Sequence, residues 1–228
     1  MAETVLYFAP QTCARVPLVA LEEAGVDFTV HTVAFMAGEH RQPDYLARNP
    51  KGKVPALAID GLVLTENVAI ADYLAERHPE AALLPPASTP AARAERLADL
   101  AFCAATLHPI VTRIRMAPFI AGPASAKAVY DAACQAMDPN FAMIEARLAQ
   151  RTWWYGEWSV MDAYLNWAFF RVAGARYDVS RFPAFARHDE LMQERPSYRR
   201  AMLRERQSEA DLVARGLLFT PPDPATFS

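Results

Sequence analysis

The chain has 228 residues, of which 53% are hydrophobic and 21% charged, with a formal net charge of −3. That length suits one large or two modest domains, and the composition is that of a globular protein rather than a disordered one. Acids and bases are mixed along the chain, which excludes the basic footprint that nucleic acid or an anionic membrane would require.

Residues 5–8 (VLYF) form a short apolar run ahead of Pro10 and predict a buried strand. Residues 16–24 are helical in composition and stop at Gly25, a residue suited to the left-handed position that ends a helix. Residues 26–33 are β-branched and partly alternating, a second strand. One or two helical turns over 44–48 close at Asn49-Pro50. Residues 54–59 and 62–65 flank Asp60-Gly61, a strong hairpin signal. A helix over 68–78 is stopped by Pro79. The order is β-α-β-α-β-β-α.

Residues 83–90 (LLPPASTP) are proline-rich and lack periodicity, which marks a linker. Beyond them the helical period prevails. It predicts one long helix over 91–116, a second over 126–150 kinked or split at Pro139, and a third over 159–175. Shorter helices follow over 183–194 and 197–206. The expected architecture is an α/β domain over residues 1–82 followed by an all-α domain over 91–228.

The N-terminal residues lack the basic and apolar regions of a signal peptide, and no run of about 18 uninterrupted apolar residues predicts a membrane span. Cys13, Cys103 and Cys134 are widely spaced with no CxxC. Neither a disulfide framework nor a metal site is expected, and a cytoplasmic location is.

Two stretches carry chemistry: NPKGKVPAL over 49–57 and LTENVAIADYL over 64–74. A cis form of the Val54-Pro55 bond costs only about 0.5–1 kcal/mol. Such a turn would leave the main chain of Val54 to pair with an extended peptide, a one-residue strand addition. A trans proline at a strand edge is the other reading. Glu66 and Asn67 precede a helix, where amide N–H groups and the helix dipole favour a carboxylate. Asn67 could also cap its own helix, and the two roles can hold at once. Glu66 suits a ligand ammonium, and Lys51 and Lys53 a second carboxylate, or they are solvated loop charges.

Cys13 lies between the first strand and the first helix. A thiol of pKa about 8.5 is a few per cent thiolate at neutral pH, and a helix N-terminus helps the anion. A small buried hydrophobe is the alternative.

Together YFAPQTCARVPLVAL (7–21), NPKGKVPAL, the TEN helix start and the later SVMDAYL segment resemble the cytosolic glutathione S-transferases over essentially the whole chain. The cysteine three residues after Pro10 is most similar to the bacterial beta class, the cysteine type. The resemblance implies a thioredoxin-like N-terminal domain followed by an all-helical domain that shapes a hydrophobic second-substrate site. It also implies a cis Pro55, a cytoplasmic homodimer, and a detoxifying transferase with glutathione as co-substrate and no metal. The implied glutathione contacts are Cys13, Lys53, Val54, Pro55, Glu66, Asn67 and His108, the last inside the long helix. The partner substrate would be a small hydrophobic electrophile or, through a Cys13 mixed disulfide, a disulfide.

Two departures stand out: Asn67 replaces a frequent serine, and Ala14 follows Cys13 where a serine hydroxyl is often found. The candidate activating groups are therefore Cys13, then Thr12, then Tyr7, although Tyr7 in the first strand is also placed to pack in the sheet. Rival readings on the same scaffold are a non-catalytic carrier of apolar ligands and a specialised glutathione-dependent ether-cleaving enzyme or isomerase.

Ser159-Val-Met-Asp162 is of another kind. It reads as a capping box before an apolar helix, with Trp153, Trp154, Tyr155 and Trp158 packed round it and a folding role worth about 1 kcal/mol at Asp162.

Overall fold

The computed structural model describes residues 3–227. The chain forms two compact units. One runs to Pro86 and adds Glu194–Phe219; the other covers Ala87–Gln193 and the residues from Thr220 onward.

The first unit is built on a four-stranded sheet of β1 (Val5–Phe8), β2 (Thr29–Thr32), β3 (Ala56–Ile59) and β4 (Leu62–Thr65) in the order β2-β1-β3-β4. β1 runs parallel to β2 and antiparallel to β3, and β3 and β4 form the hairpin. Asp60 and Gly61 both have positive φ, 51° and 77°, as the tight turn demands. Leu6 and Phe8 are fully buried, while Tyr7 between them faces the other side of the sheet by the period of two. α1 (Arg15–Glu23) is buried almost all round, from Arg15 through Glu22. α2 (Pro43–Leu46) is a single turn, and α3 (Asn67–Arg77) buries Ile70, Ala71 and Leu74. This is the thioredoxin-like arrangement expected of the first eighty residues, although β2 is shorter than the alternation over 26–33 predicts.

The second unit is helical. α4 (Pro90–Ala101), a π-helical stretch Phe102–Leu107 and α5 (His108–Ala121) form one run, followed by α6 (Ala126–Leu148), α7 (Val160–Ala173) and α8 (Pro183–Glu194). The predicted single helix over 91–116 is therefore interrupted. Pro109 has no N–H to give and its ring crowds the carbonyl one turn back, so the preceding turn widens and His108 N–H bonds the Cys103 carbonyl five residues earlier. A second break falls at Met116, with φ −123° and ψ 21°, two residues before Pro118.

The run 90–121 is long and apolar enough to cross a membrane by length and composition alone. Its buried positions Leu100, Cys103, Leu107, Val111 and Ile114 recur at helical spacing, which is the pattern of a packing face.

Pro139 does not split α6, which is continuous from Ala126 to Leu148. Asn140 Nδ2 donates to the Ala136 carbonyl at 2.8 Å beside the proline, an additional bond in the turn where the ladder loses one. Phe141 anchors the core of this unit, with Phe169, Tyr177, Phe182 and Phe185 around it.

α9 (Pro196–Ala214) belongs to the first unit, whereas the sequence division places every residue after 91 in the helical domain. It lies along α1. Glu22 accepts from Arg200 and Arg204, Glu23 from Arg195 and Ser197, and Glu205 from Arg15. Helical periodicity reveals that a segment is a helix but not which neighbour receives its buried face.

Candidate functional site

The loop over 49–55 is held by its own side chains. Asn49 Oδ1 accepts from the Lys51 N–H at 3.1 Å, an Asx turn, and Asn49 Nδ2 donates to the Lys53 carbonyl at 2.8 Å. Tyr45 Oη donates to the same carbonyl at 2.6 Å, and burial pushes this phenol's pKa up. Gly52 has φ 57°, and a Cβ there would come within 3.2 Å of the His40 carbonyl and of Leu46 Cδ2. The sequence reading overlooked Asn49, Tyr45 and His40; the asparagine two residues before a lysine and three before a glycine was the available signal for the first.

His40 is buried and stacks on Phe35 with ring centroids 3.8 Å apart. Desolvation, then the charges of Arg41 and Lys53, hold its imidazole below the usual histidine range.

This loop delivers Val54 and Pro55 to the end of β3 with a cis bond between them. Val54 precedes the β1–β3 ladder, which takes in Ala56 opposite Tyr7, so its main chain is outside that pairing. Cys13 lies against it: Sγ is 3.8 Å from the Val54 carbonyl. Cys13 is 8% exposed and stands two residues before α1, its carbonyl accepting from the Val16 N–H.

Asn67 departs from its predicted role as the cap of α3. It is the first residue of α3, only 6% exposed, and its Nδ2 donates to the Cys13 carbonyl at 3.0 Å. The side chain thus neither caps its own helix nor turns outward; it ties the start of α3 to the cysteine turn, and Oδ1 is buried without a hydrogen-bond partner. Glu66 takes the cap position with φ 70° and ψ 126°, a backbone conformation that costs on the order of 1–3 kcal/mol and persists where surrounding contacts enforce it. Its exposed carboxylate meets Lys51 Nζ at 2.8 Å, and Lys51 also donates to Thr65 Oγ1 at 2.9 Å. Lys53 is exposed on the same loop.

Of the two hydroxyl candidates, Thr12 has its proton committed and Tyr7 accepts a bond. Thr12 Oγ1 donates to the Ala9 carbonyl at 2.7 Å and accepts from the Ala14 N–H at 3.3 Å, closing its own turn. Tyr7 Oη accepts from Arg48 Nε at 3.1 Å, and its ring packs against His31 and Tyr45. The geometry therefore gathers Cys13, Val54, Pro55 and Asn67. His108 is in the other unit, where Nδ1 lies 3.2 Å from Tyr164 Oη and the ring meets Trp167 edge-on.

The chain is similar to known proteins. The family profile described as Glutathione S-transferase, N-terminal domain, matches residues 3–76. Over 169 residues the chain is 33% identical to Glutathione S-transferase 3 of Zea mays, spanning 72% of this chain and 75% of that protein. Among solved structures, it is similar to a sphingomonad glutathione S-transferase complexed with glutathione, at 31% identity and a TM-score of 0.77. That match covers 88% of this chain and 98% of the other. A bacterial beta class glutathione S-transferase of Sphingomonas chungbukensis matches at 30% identity and a TM-score of 0.76, with the same coverage of 88% and 98%. With the sheet order, the cysteine turn and the loop before β3 all in place, the chain belongs to the glutathione S-transferase family.

Proposed function

We propose that this enzyme binds glutathione at the Val54–Asn67 edge of its first unit and activates the thiol for attack on small hydrophobic electrophiles, with Cys13 as the activating group. The observation that carries the reading is the placement of Cys13 Sγ beside the Val54 carbonyl, at 3.8 Å. A tripeptide paired with Val54 as an added strand would bring its central cysteine to that thiol. Its γ-glutamyl carboxylate would meet the amide-rich start of α3, and its ammonium the exposed Glu66 carboxylate in competition with Lys51. Lys53 is then the partner for the glycyl carboxylate.

Conjugation needs the glutathione thiol to lose its proton to solvent. A carbon–sulfur bond forms as the carbon–halogen bond of an aryl halide breaks, and the halide leaves with the bonding pair. In the accompanying disulfide chemistry the Cys13 thiolate attacks the glutathione sulfur of a mixed disulfide between glutathione and a small thiol, and the small thiolate leaves to take up a proton. A glutathione thiolate then attacks the Cys13–glutathione disulfide, which releases the Cys13 thiolate and glutathione disulfide. The match to the beta class structure and the engaged hydroxyl of Thr12 favour this cysteine-type reading. The proposal also carries the homodimer and the cytoplasmic location from the resemblance.

Calorimetry with glutathione and turnover on aryl halides, isothiocyanates, epoxides and disulfides test it. Cys13→Ser should abolish mixed-disulfide formation, seen by mass spectrometry, and glutathione-dependent disulfide reduction. Unchanged reductase kinetics in that variant would remove Cys13 from the mechanism. Glutathione uptake without turnover on any substrate would make the chain a carrier.

A further inference from the structure

Gln11, two residues before Cys13, has φ 62°, a left-handed conformation uncommon for a residue with a side chain. Its main-chain N–H donates to Glu205 Oε1 at 2.8 Å, and its side-chain amide donates to Glu209 Oε1 at 3.2 Å, one turn further along α9. Glu205 also holds the chain on the other side of the cysteine. Arg15 Nε donates to Oε2 at 2.9 Å and Arg15 Nη2 to Oε1 at 2.7 Å, with both side chains 4% exposed. Burial alone would lower the guanidinium pKa, but the charge of Glu205 raises it above its ordinary value. One buried carboxylate thus bonds the residues two before and two after Cys13.

We propose that Glu205 is a positioning residue for Cys13: from α9 it fixes both ends of the turn that sets the thiol against Val54, and its bond to the Gln11 N–H is the component that an ion pair serving stability alone would not need. This rests on the proposed role of Cys13. A carboxylate accepting a main-chain N–H in a left-handed residue holds a conformation the chain would otherwise leave, and a displaced reacting group loses rate steeply.

The test uses two charge-free pairs that differ in one acceptor. R15M/E205Q keeps an oxygen for the Gln11 N–H, whereas R15M/E205L removes it; R15M/E205A stands in should leucine prevent folding. Iodoacetamide labelling of Cys13, read by peptide mass spectrometry across pH without glutathione, should give a wild-type profile for the glutamine pair and a displaced one for the leucine pair. In disulfide reduction, kcat of the leucine pair should fall about fivefold relative to the glutamine pair, the scale of one neutral hydrogen bond, with KM for the disulfide unchanged. Superimposable labelling profiles in two folded, equally stable pairs would overturn the proposal. Absence of glutathione binding by the wild-type protein would instead overturn the proposed function, while the labelling comparison would still decide the role of Glu205.

Discussion

Replacing Asp162 by alanine should destabilise this protein well beyond the loss of a helix cap. The capping box accounts for one oxygen: Oδ2 accepts the Ser159 N–H at 2.9 Å and the Ser159 hydroxyl at 3.1 Å. A lost cap costs about 1 kcal/mol. The other oxygen, Oδ1, accepts the Trp154 N–H at 2.8 Å and His188 Nε2 at 3.0 Å. Asp162 is fully buried and His188 is 1% exposed, so these donors have no water to turn to. His188 Nδ1 is itself buried with no hydrogen-bond partner, which places the ring proton on Nε2 toward the carboxylate. Each of these two buried donors left unsatisfied costs about 1–3 kcal/mol, which with the cap makes about 3–7 kcal/mol in total. That is a large share of the roughly 5–15 kcal/mol by which domains are stable. Urea unfolding followed by circular dichroism should show a much lower midpoint at unchanged slope. A loss near 1 kcal/mol would refute the reasoning and return Asp162 to a simple cap.

Two further predictions follow from the first unit. Asn67→Ala removes the bond to the Cys13 carbonyl and should lower stability by about 1–2 kcal/mol while slowing iodoacetamide labelling of Cys13; wild-type labelling would show that the α3 tie does not place the thiol. Asp60, at the β3–β4 turn, has its carboxyl held below the usual range by hydrogen bonds first from Tyr73 and then from Arg77. A depressed carboxyl stabilises the fold above its unfolded pKa of about 3.9 and loses that contribution as pH falls through its folded value. The melting temperatures of wild type and Asp60→Asn should therefore differ by a constant amount above about pH 5 and converge in acid. A gap that widens as pH falls would contradict it.

Local signals account for much of the fold. The alternation in VLYF, the Asp60-Gly61 turn, Gly25 and the Ser159–Asp162 box each act over a few residues, so their outcome is written where they stand. The same holds for the candidate site as a set of parts: Cys13 before a helix, Val54-Pro55 before a strand, and Glu66-Asn67 before another helix. Other features needed tertiary contacts. Whether Pro139 interrupts α6, and how Pro109 is absorbed by a wider turn upstream, depend on what packs against those helices. The direction of the Asn67 amide was likewise undetermined until Cys13, 54 residues away in the chain, supplied its carbonyl.

By itself the sequence determined which segments are strands and helices, their order, and the family that order and its motifs resemble, because period, turn residues and caps are short-range. Only the tertiary structure decided that α9 joins the first unit and that Glu205 meets Gln11 and Arg15 from almost two hundred residues away. The physical reason is that a buried charge takes whichever partner the fold brings to it, and no local pattern encodes that choice.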